Sequence, residues 1–230
     1  MAIARRGSTN YSAEMYNNSS SVAITKESTV AVGDIIFIAV SSYGEGTGSG
    51  NGASVTGFTK IVDQDFNGSR ASLLWRVVDG TEGSTFNVTI GGMEWRCAGV
   101  VLIAFSGTGL SIDTSNFTYN GASVTSLVAP SLTAAAANEL LVNFFLYSDP
   151  GTFTAPSGAD GSFANSPQNT NGAAVSWDAI ASSGATGTRT ATIGTARSAL
   201  SVSVLLKETG ASATSRPLIR SYQFAHLVGR

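Results

Sequence analysis

Two stretches, Gly33-Asp34-Ile35-Ile36-Phe37-Ile38-Ala39-Val40 and Asn138-Glu139-Leu140-Leu141-Val142-Asn143-Phe144-Phe145, decide how this chain is read. Each opens on a turn-forming residue and an acid, then enters a short apolar run. Runs of this length, bounded by turn formers, are the mark of β-strands. The segments downstream of the two stretches correspond as well. The first leads through a Gly-rich loop to Leu73-Leu74-Trp75-Arg76-Val77-Val78, then Thr85-Phe86-Asn87-Val88-Thr89-Ile90-Gly91, then Gly99-Val100-Val101-Leu102-Ile103-Ala104-Phe105. The second leads through a Gly/Pro/Asn-rich loop to Val175-Ser176-Trp177-Asp178-Ala179-Ile180, then Thr188-Arg189-Thr190-Ala191-Thr192-Ile193-Gly194, then Leu200-Ser201-Val202-Ser203-Val204-Leu205-Leu206. The chain therefore reads as an internal repeat, with halves at about 20–107 and 121–207.

Outward from these stretches, no window keeps a 3.6-residue apolar period. Strands are expected near 21–26, 34–42, 59–65, 71–78, 85–90 and 98–106, and again near 123–127, 140–147, 173–180, 188–193 and 199–206. The one helix candidate, 131–138, reads as a turn before a strand despite its four alanines. The expected fold class is all-β: a two-sheet antiparallel sandwich, jelly-roll-like, made of two pseudo-repeated halves. Five strands are few for an independent half, so residues 1–208 are expected to form a single unit around one core, with two tandem domains as the alternative. Trp75 and Trp177 hold matching places and are expected core anchors; a ligand-stacking platform is the other reading. The loops 41–57 and 148–172 are expected to be exposed excursions, either a contact surface or tolerated insertions.

Charged residues are only 12% of the 230, so the surface must be built mostly from Ser, Thr, Asn and Gly. A net charge of −2 and a pI near 5.3 give no reason to expect a nucleic-acid partner. The longest apolar runs, 35–40 and 140–147, are too short to cross a bilayer, so membrane insertion is not expected. The opening Met1-Ala2-Ile3-Ala4-Arg5-Arg6-Gly7 lacks the apolar segment of a secretory signal. Without one, the sequons at Asn18, Asn67, Asn87 and Asn116 read as a by-product of composition. Cys97 is the single cysteine, which excludes an internal disulfide, and its apolar run predicts a buried, inert thiol.

Catalytic chemistry is thin. Nucleophile–histidine catalysis needs an imidazole near the reacting group, and the one histidine, His226, lies in a C-terminal segment unlike the β body. Carboxylate pairs could support glycoside hydrolysis, and Glu45, Glu82, Glu94, Asp149, Asp160 and Asp178 are available, but no spacing singles out a pair. Asp63-Gln64-Asp65-Phe66-Asn67-Gly68 matches the opening of a calcium loop and makes Asp63, Asp65 and Asn67 a weak metal candidate. The twelfth position is Leu74, which supplies no carboxylate, and a hairpin turn explains the same residues. No enzyme activity and no cofactor are expected.

The last segment, Ser215 to Arg230, comes after the small-residue linker Thr209-Gly210-Ala211-Ser212-Ala213-Thr214 and differs in character. Together, 209–230 read as a linker and an extended docking arm, since Pro217 and the mixed pattern oppose a helix. Arg216, Leu218, Ile219, Tyr222, Phe224 and Leu227 are the candidate partner-binding residues, because so much apolar surface must be covered. The cover is either a neighbouring subunit or the chain's own body. Arg5 and Arg6 could anchor the other end, though a solvated terminus is the simpler reading.

The segments 31–40, 55–62, 73–80 and 99–107, here Val55-Thr56-Gly57-Phe58-Thr59-Lys60-Ile61-Val62 and Leu73-Leu74-Trp75-Arg76-Val77-Val78-Asp79-Gly80 above all, resemble β-sandwich virion structural proteins of bacteriophages and prophages, of the minor tail or capsid-decorating type. The likeness covers about residues 20–107, with a weaker echo to 207. It implies a non-enzymatic place in a virion assembled in the bacterial host cytoplasm, with partners that are further copies of the chain and other virion proteins. A trimer is the expectation for a fibre or decoration protein. The alternative is a carbohydrate-binding module for a host-surface glycan, with Tyr43, Phe58, Trp95 or Phe153 as the sugar platform.

Overall fold

The computed structural model describes residues 3–7, 11–15, 20–43, 52–91, 97–148, 152–159 and 171–209. These residues form an all-β protein with no helix, built from several antiparallel sheets. In chain order the strands begin with β1 (Ala4–Arg5), β2 (Tyr11–Met15), β3 (Ser21–Thr25), β4 (Ile35–Tyr43), β5 (Ala53–Ser54), β6 (Thr59–Phe66), β7 (Ser69–Val77), β8 (Thr85–Ile90) and β9 (Cys97–Ser106). They continue with β10 (Leu110–Ala129), β11 (Thr133–Ala134), β12 (Glu139–Ser148), β13 (Phe153–Thr154), β14 (Asn171–Ile180), β15 (Gly184–Ala185) and β16 (Arg189–Glu208). One sheet runs β1-β9-β4-β7-β6, with β2 also on β9; another runs β10-β16-β12-β14, with β13 on β16. A three-stranded sheet, β3-β8-β5, and the pair β11-β15 complete the set.

The unbroken apolar run of β4 has a direct cause, since both of its faces are buried. Ile35, Phe37 and Ala39 join one apolar cluster, while Ile36, Ile38 and Val40 join another with Ile24, Phe86, Val88 and Ile90 of the three-stranded sheet. A strand covered on both sides has no polar face to show, so alternation disappears. β12 behaves alike. Leu140, Val142, Phe144 and Leu146 belong to the same cluster as Phe37, whereas Phe145 and Tyr147 pack with Leu127, Phe153, Ala191 and Ile193. Residues of both large sheets thus meet in one cluster, where the Phe37 and Phe144 rings lie 5.4 Å apart.

Several pairings around β4 recur around β12. Phe37 lies opposite Trp75 on one side and Ile103 on the other; Val142 lies opposite Trp177 and Val204. Ala53 pairs with Ile90 as Phe153 pairs with Ile193. The turns that launch β4 and β12 match too. Gly33 and Asn138 both take positive φ, and their N–H groups donate to Val78 and Ile180 carbonyls at 2.8 Å each. The Ala31 N–H donates to Asp34 Oδ2 at 2.8 Å, and the Ala136 N–H to Glu139 Oε1 at 3.0 Å.

Four expectations change. The segments 188–193 and 199–206 are one strand, β16, whose pairing with β10 is interrupted between Thr192 and Arg197 by irregular register. Such bulges let a single strand turn from one layer to the next. The segment 123–127 is only the far part of β10, which begins at Leu110. The loops 41–57 and 148–172 are not wholly exposed: β5 and β13 bury Ala53 and Phe153 against β8 and β16 respectively, because the apolar clusters beneath need a lid at those edges. Finally, Ile3–Gly7 is docked rather than solvated. β1 pairs with β9, and Arg6 Nε lies 2.8 Å from Asp34 Oδ2, a carboxylate with 3% exposure that needs a cation.

Candidate functional site

The candidate metal loop is a tight hairpin. Asn67 and Gly68 join β6 to β7 with φ of 48° and 82°, both in the left-handed region that a two-residue turn of this hand demands. Asp63 and Asp65 point their oxygens at cations instead of a common centre. Arg70 Nε lies 2.6 Å from Asp63, Arg70 Nη1 3.0 Å from Asp65, and Lys60 Nζ 2.5 Å from Asp63. Burial opposes the Asp63 charge, but the bonds from Arg70 and Lys60 outweigh it and hold the carboxyl below its ordinary range. The bond to Asp63 in turn raises the Arg70 guanidinium. Asn67 Nδ2 donates to Ser198 Oγ at 2.8 Å, so the turn of one sheet is tied to a strand of the other.

Three further carboxylates are held by cations. Asp178 accepts from Arg189 at 2.5 Å, and Glu82 sits 2.7 Å from Arg76 with its side chain fully covered. Asp113 pairs with Lys207. Among the described residues no group of His, Cys, Asp and Glu is placed to hold a metal ion. Glu45, Glu94, Asp149, Asp160 and His226 lie outside the described residues.

Trp75 and Trp177 are half-buried and stand at the rim of the shared cluster. Trp177 packs edge-on to Phe105 at 5.9 Å, and the Arg5 guanidinium covers its ring at 5.1 Å. That contact joins β1 to β14, a link the sequence did not signal. Of the proposed sugar platforms, Phe153 is corrected: it is buried, stacked on Tyr147 at 6.3 Å and 10°. Burial also raises the Tyr147 phenol, which stays protonated. Phe58 is half-buried, edge-on to Phe86. Trp95 lies outside the described residues, and Tyr43 ends β4.

The feature that sequence reading missed is the first part of β10. Among the described residues it is the edge strand of its sheet, and its six residues Thr114–Tyr119 keep regular register with Leu205–Leu200 of β16. Phe117 is 41% and Tyr119 48% exposed, the two large apolar side chains left open on that edge. The Phe117 N–H is taken by Asn116 Oδ1 at 2.9 Å, a local stand-in for a ladder partner. Natural edges are blunted by lysine, proline or bulges; this stretch carries none of them between Thr114 and Tyr119. The docking-arm residues Arg216, Leu218, Ile219, Tyr222, Phe224 and Leu227 lie outside the described residues. The chain reaches Thr209 beside Gly109, where the Thr209 N–H donates to the Gly109 carbonyl at 2.9 Å, at the start of β10.

Comparisons with family models, with curated proteins and with solved structures found no match.

Proposed function

We propose that the protein is a non-enzymatic structural component of a bacteriophage virion, a tail component or a capsid decoration, which works by assembling with itself and with other virion proteins. In this reading the chain is a two-sheet antiparallel sandwich of two copied halves, 20–107 and 121–207. Both halves share one core within residues 1–208, and 209–230 form an arm that docks in trans. The matched register of Phe37, Trp75 and Ile103 with Val142, Trp177 and Val204 supports the duplication.

One observation carries the assembly role: the edge of β10, which among the described residues pairs with no strand beyond β16 and leaves Phe117 and Tyr119 exposed. A strand edge of this kind is a template for another chain, where backbone hydrogen bonds supply affinity and the alternate side chains supply specificity. The neutral surface fits tight lateral packing in a particle, since few charges must be desolvated when copies meet. The ion-paired state of Asp63, Asp65, Glu82, Asp113 and Asp178 is consistent with carboxylates that hold the fold together.

The test is assembly itself. Deleting residues 215–230, and separately replacing Phe117→Lys with Tyr119→Lys, should lower the solution mass to that of a monomer or abolish incorporation into particles, with circular dichroism unchanged. Full incorporation of both variants would defeat the proposal.

A further inference from the structure

One open cleft lies away from the β10 edge, on the side of the three-stranded sheet. Its volume is about 380 Å³, near the lower end of the roughly 300–1,000 Å³ typical of small-molecule sites. Val55, Thr56 and Gly57 form one wall, and Thr81 to Gly83 with Thr85 to Asn87 form the other. Arg76 reaches in from β7.

The Arg76 side chain is 15% exposed and held by its Nε and Nη2 atoms. Nε lies 2.7 Å from Glu82 Oε1, while Nη2 lies 3.0 Å from Asp79 Oδ2 and 3.3 Å from Thr81 Oγ1. Glu82 is itself fixed, accepting the N–H groups of Asp79 and Gly80 at 3.0 Å each. Nη1 is left with no hydrogen-bond acceptor among the described residues. It lies against Gly57, whose φ is +82°, and a Cβ at that position would collide with it. This edge of the guanidinium is held in place by the contacts of Nε and Nη2 and faces the cleft, where a ligand oxygen can accept from it in place of water. Around it stand the exposed hydroxyls of Thr56, Thr81 and Thr85 and the amide of Asn87, while Phe86 closes the floor.

The charge decides the ligand class. Arg76 contributes one positive charge and its two carboxylate partners two negative ones, so the centre already carries an excess of one negative charge. An anionic ligand is repelled, whereas a neutral hydroxyl can accept from Nη1 and donate to the nearby oxygens. We propose that this cleft binds a neutral saccharide unit, with Arg76 Nη1, Thr56, Thr85 and Asn87 as its hydrogen-bonding groups. The site is independent of the assembly edge and uses none of Tyr43, Trp95 or Phe153.

The probes are cellotriose, maltotriose and chitotriose, with tri-galacturonate as the acidic counterpart, added to ¹⁵N-labelled full-length protein. At about 10 mM, well above the roughly 1 mM dissociation constant of a weak site, at least one neutral probe should shift the amide signals of Gly57, Thr85 and Asn87. Thr56→Val and Asn87→Ala change exposed side chains, and each should weaken that binding about tenfold, the scale of a lost hydrogen bond to a fixed partner. Arg76→Lys should abolish it; if that variant does not fold, the other two decide. Tighter binding of tri-galacturonate, no shift at the cleft with any neutral probe, or unchanged affinity in both Thr56→Val and Asn87→Ala would overturn the proposal.

Discussion

The guanidinium of Arg5 lies 5.1 Å from the centre of the Trp177 ring, joining the chain's first strand to β14 of the second large sheet. One residue on, Arg6 closes the ion pair with the covered Asp34. Arg5→Ala should therefore cost about 0.5–2 kcal/mol in urea unfolding, the range of a partly desolvated cation–π contact. Arg6→Ala should cost about 1–2 kcal/mol, a value tempered by the solvent access of the arginine. Adding Asp34→Asn to Arg6→Ala should recover part of that loss, because the uncompensated buried charge is then gone.

The hairpin at Asn67-Gly68 gives a second expectation. Gly68→Ala forces a side chain into left-handed backbone and should destabilise by about 1 kcal/mol, while Asn67→Gly keeps the turn geometry and should cost about 0.5–1.5 kcal/mol through the lost bond to Ser198. Because Asp63 and Asp65 already face Arg70 and Lys60, millimolar calcium should leave the melting temperature of the wild type unchanged. A calcium-dependent rise lost in Asp65→Asn would contradict this account of the loop.

Acid should weaken the same network. The folded Asp63 carboxyl titrates below its ordinary value, so its stabilising contribution is complete above the unfolded pKa of about 3.9 and disappears as pH falls through the lower, folded value. Asp63→Asn should thus be less stable than wild type by about 1 kcal/mol at pH 7. The gap should begin to shrink only below about pH 4. A gap that stays constant down to full acid unfolding would mean that the ion pair contributes nothing.

The strands that the sequence announces most clearly are those buried on both faces. Ile35 to Val40 and Leu140 to Tyr147 have no solvent side, so burial left an apolar signature in each, interrupted in the second only by the buried Asn143. β10 between Thr114 and Tyr119 left none, because an exposed edge strand tolerates Thr, Ser and Asn, and its pairing with β16 is set by backbone bonds. β5 and β13 are two residues long, too short for any period to register. The Arg6–Asp34 pair spans 28 residues, and the Arg76 cleft gathers three separate segments, so neither could be assembled from local spacing. The hairpin reading of Asn67-Gly68 was available from residue types alone, since both favour positive φ. The matching places of Trp75 and Trp177 were equally legible, but their position at the rim of the cluster depends on which strands lie opposite.

The claim beneath all of this is that the two halves fold as one body around the cluster shared by Phe37 and Phe144. It is tested most directly by equilibrium unfolding of two variants in which only Trp75 or only Trp177 remains, the other tryptophans being replaced by Phe. Coincident urea midpoints and slopes for the two fluorescence signals are predicted, as expected for a single cooperative transition. Separate midpoints, with one half unfolding while the other stays intact, would contradict the shared core.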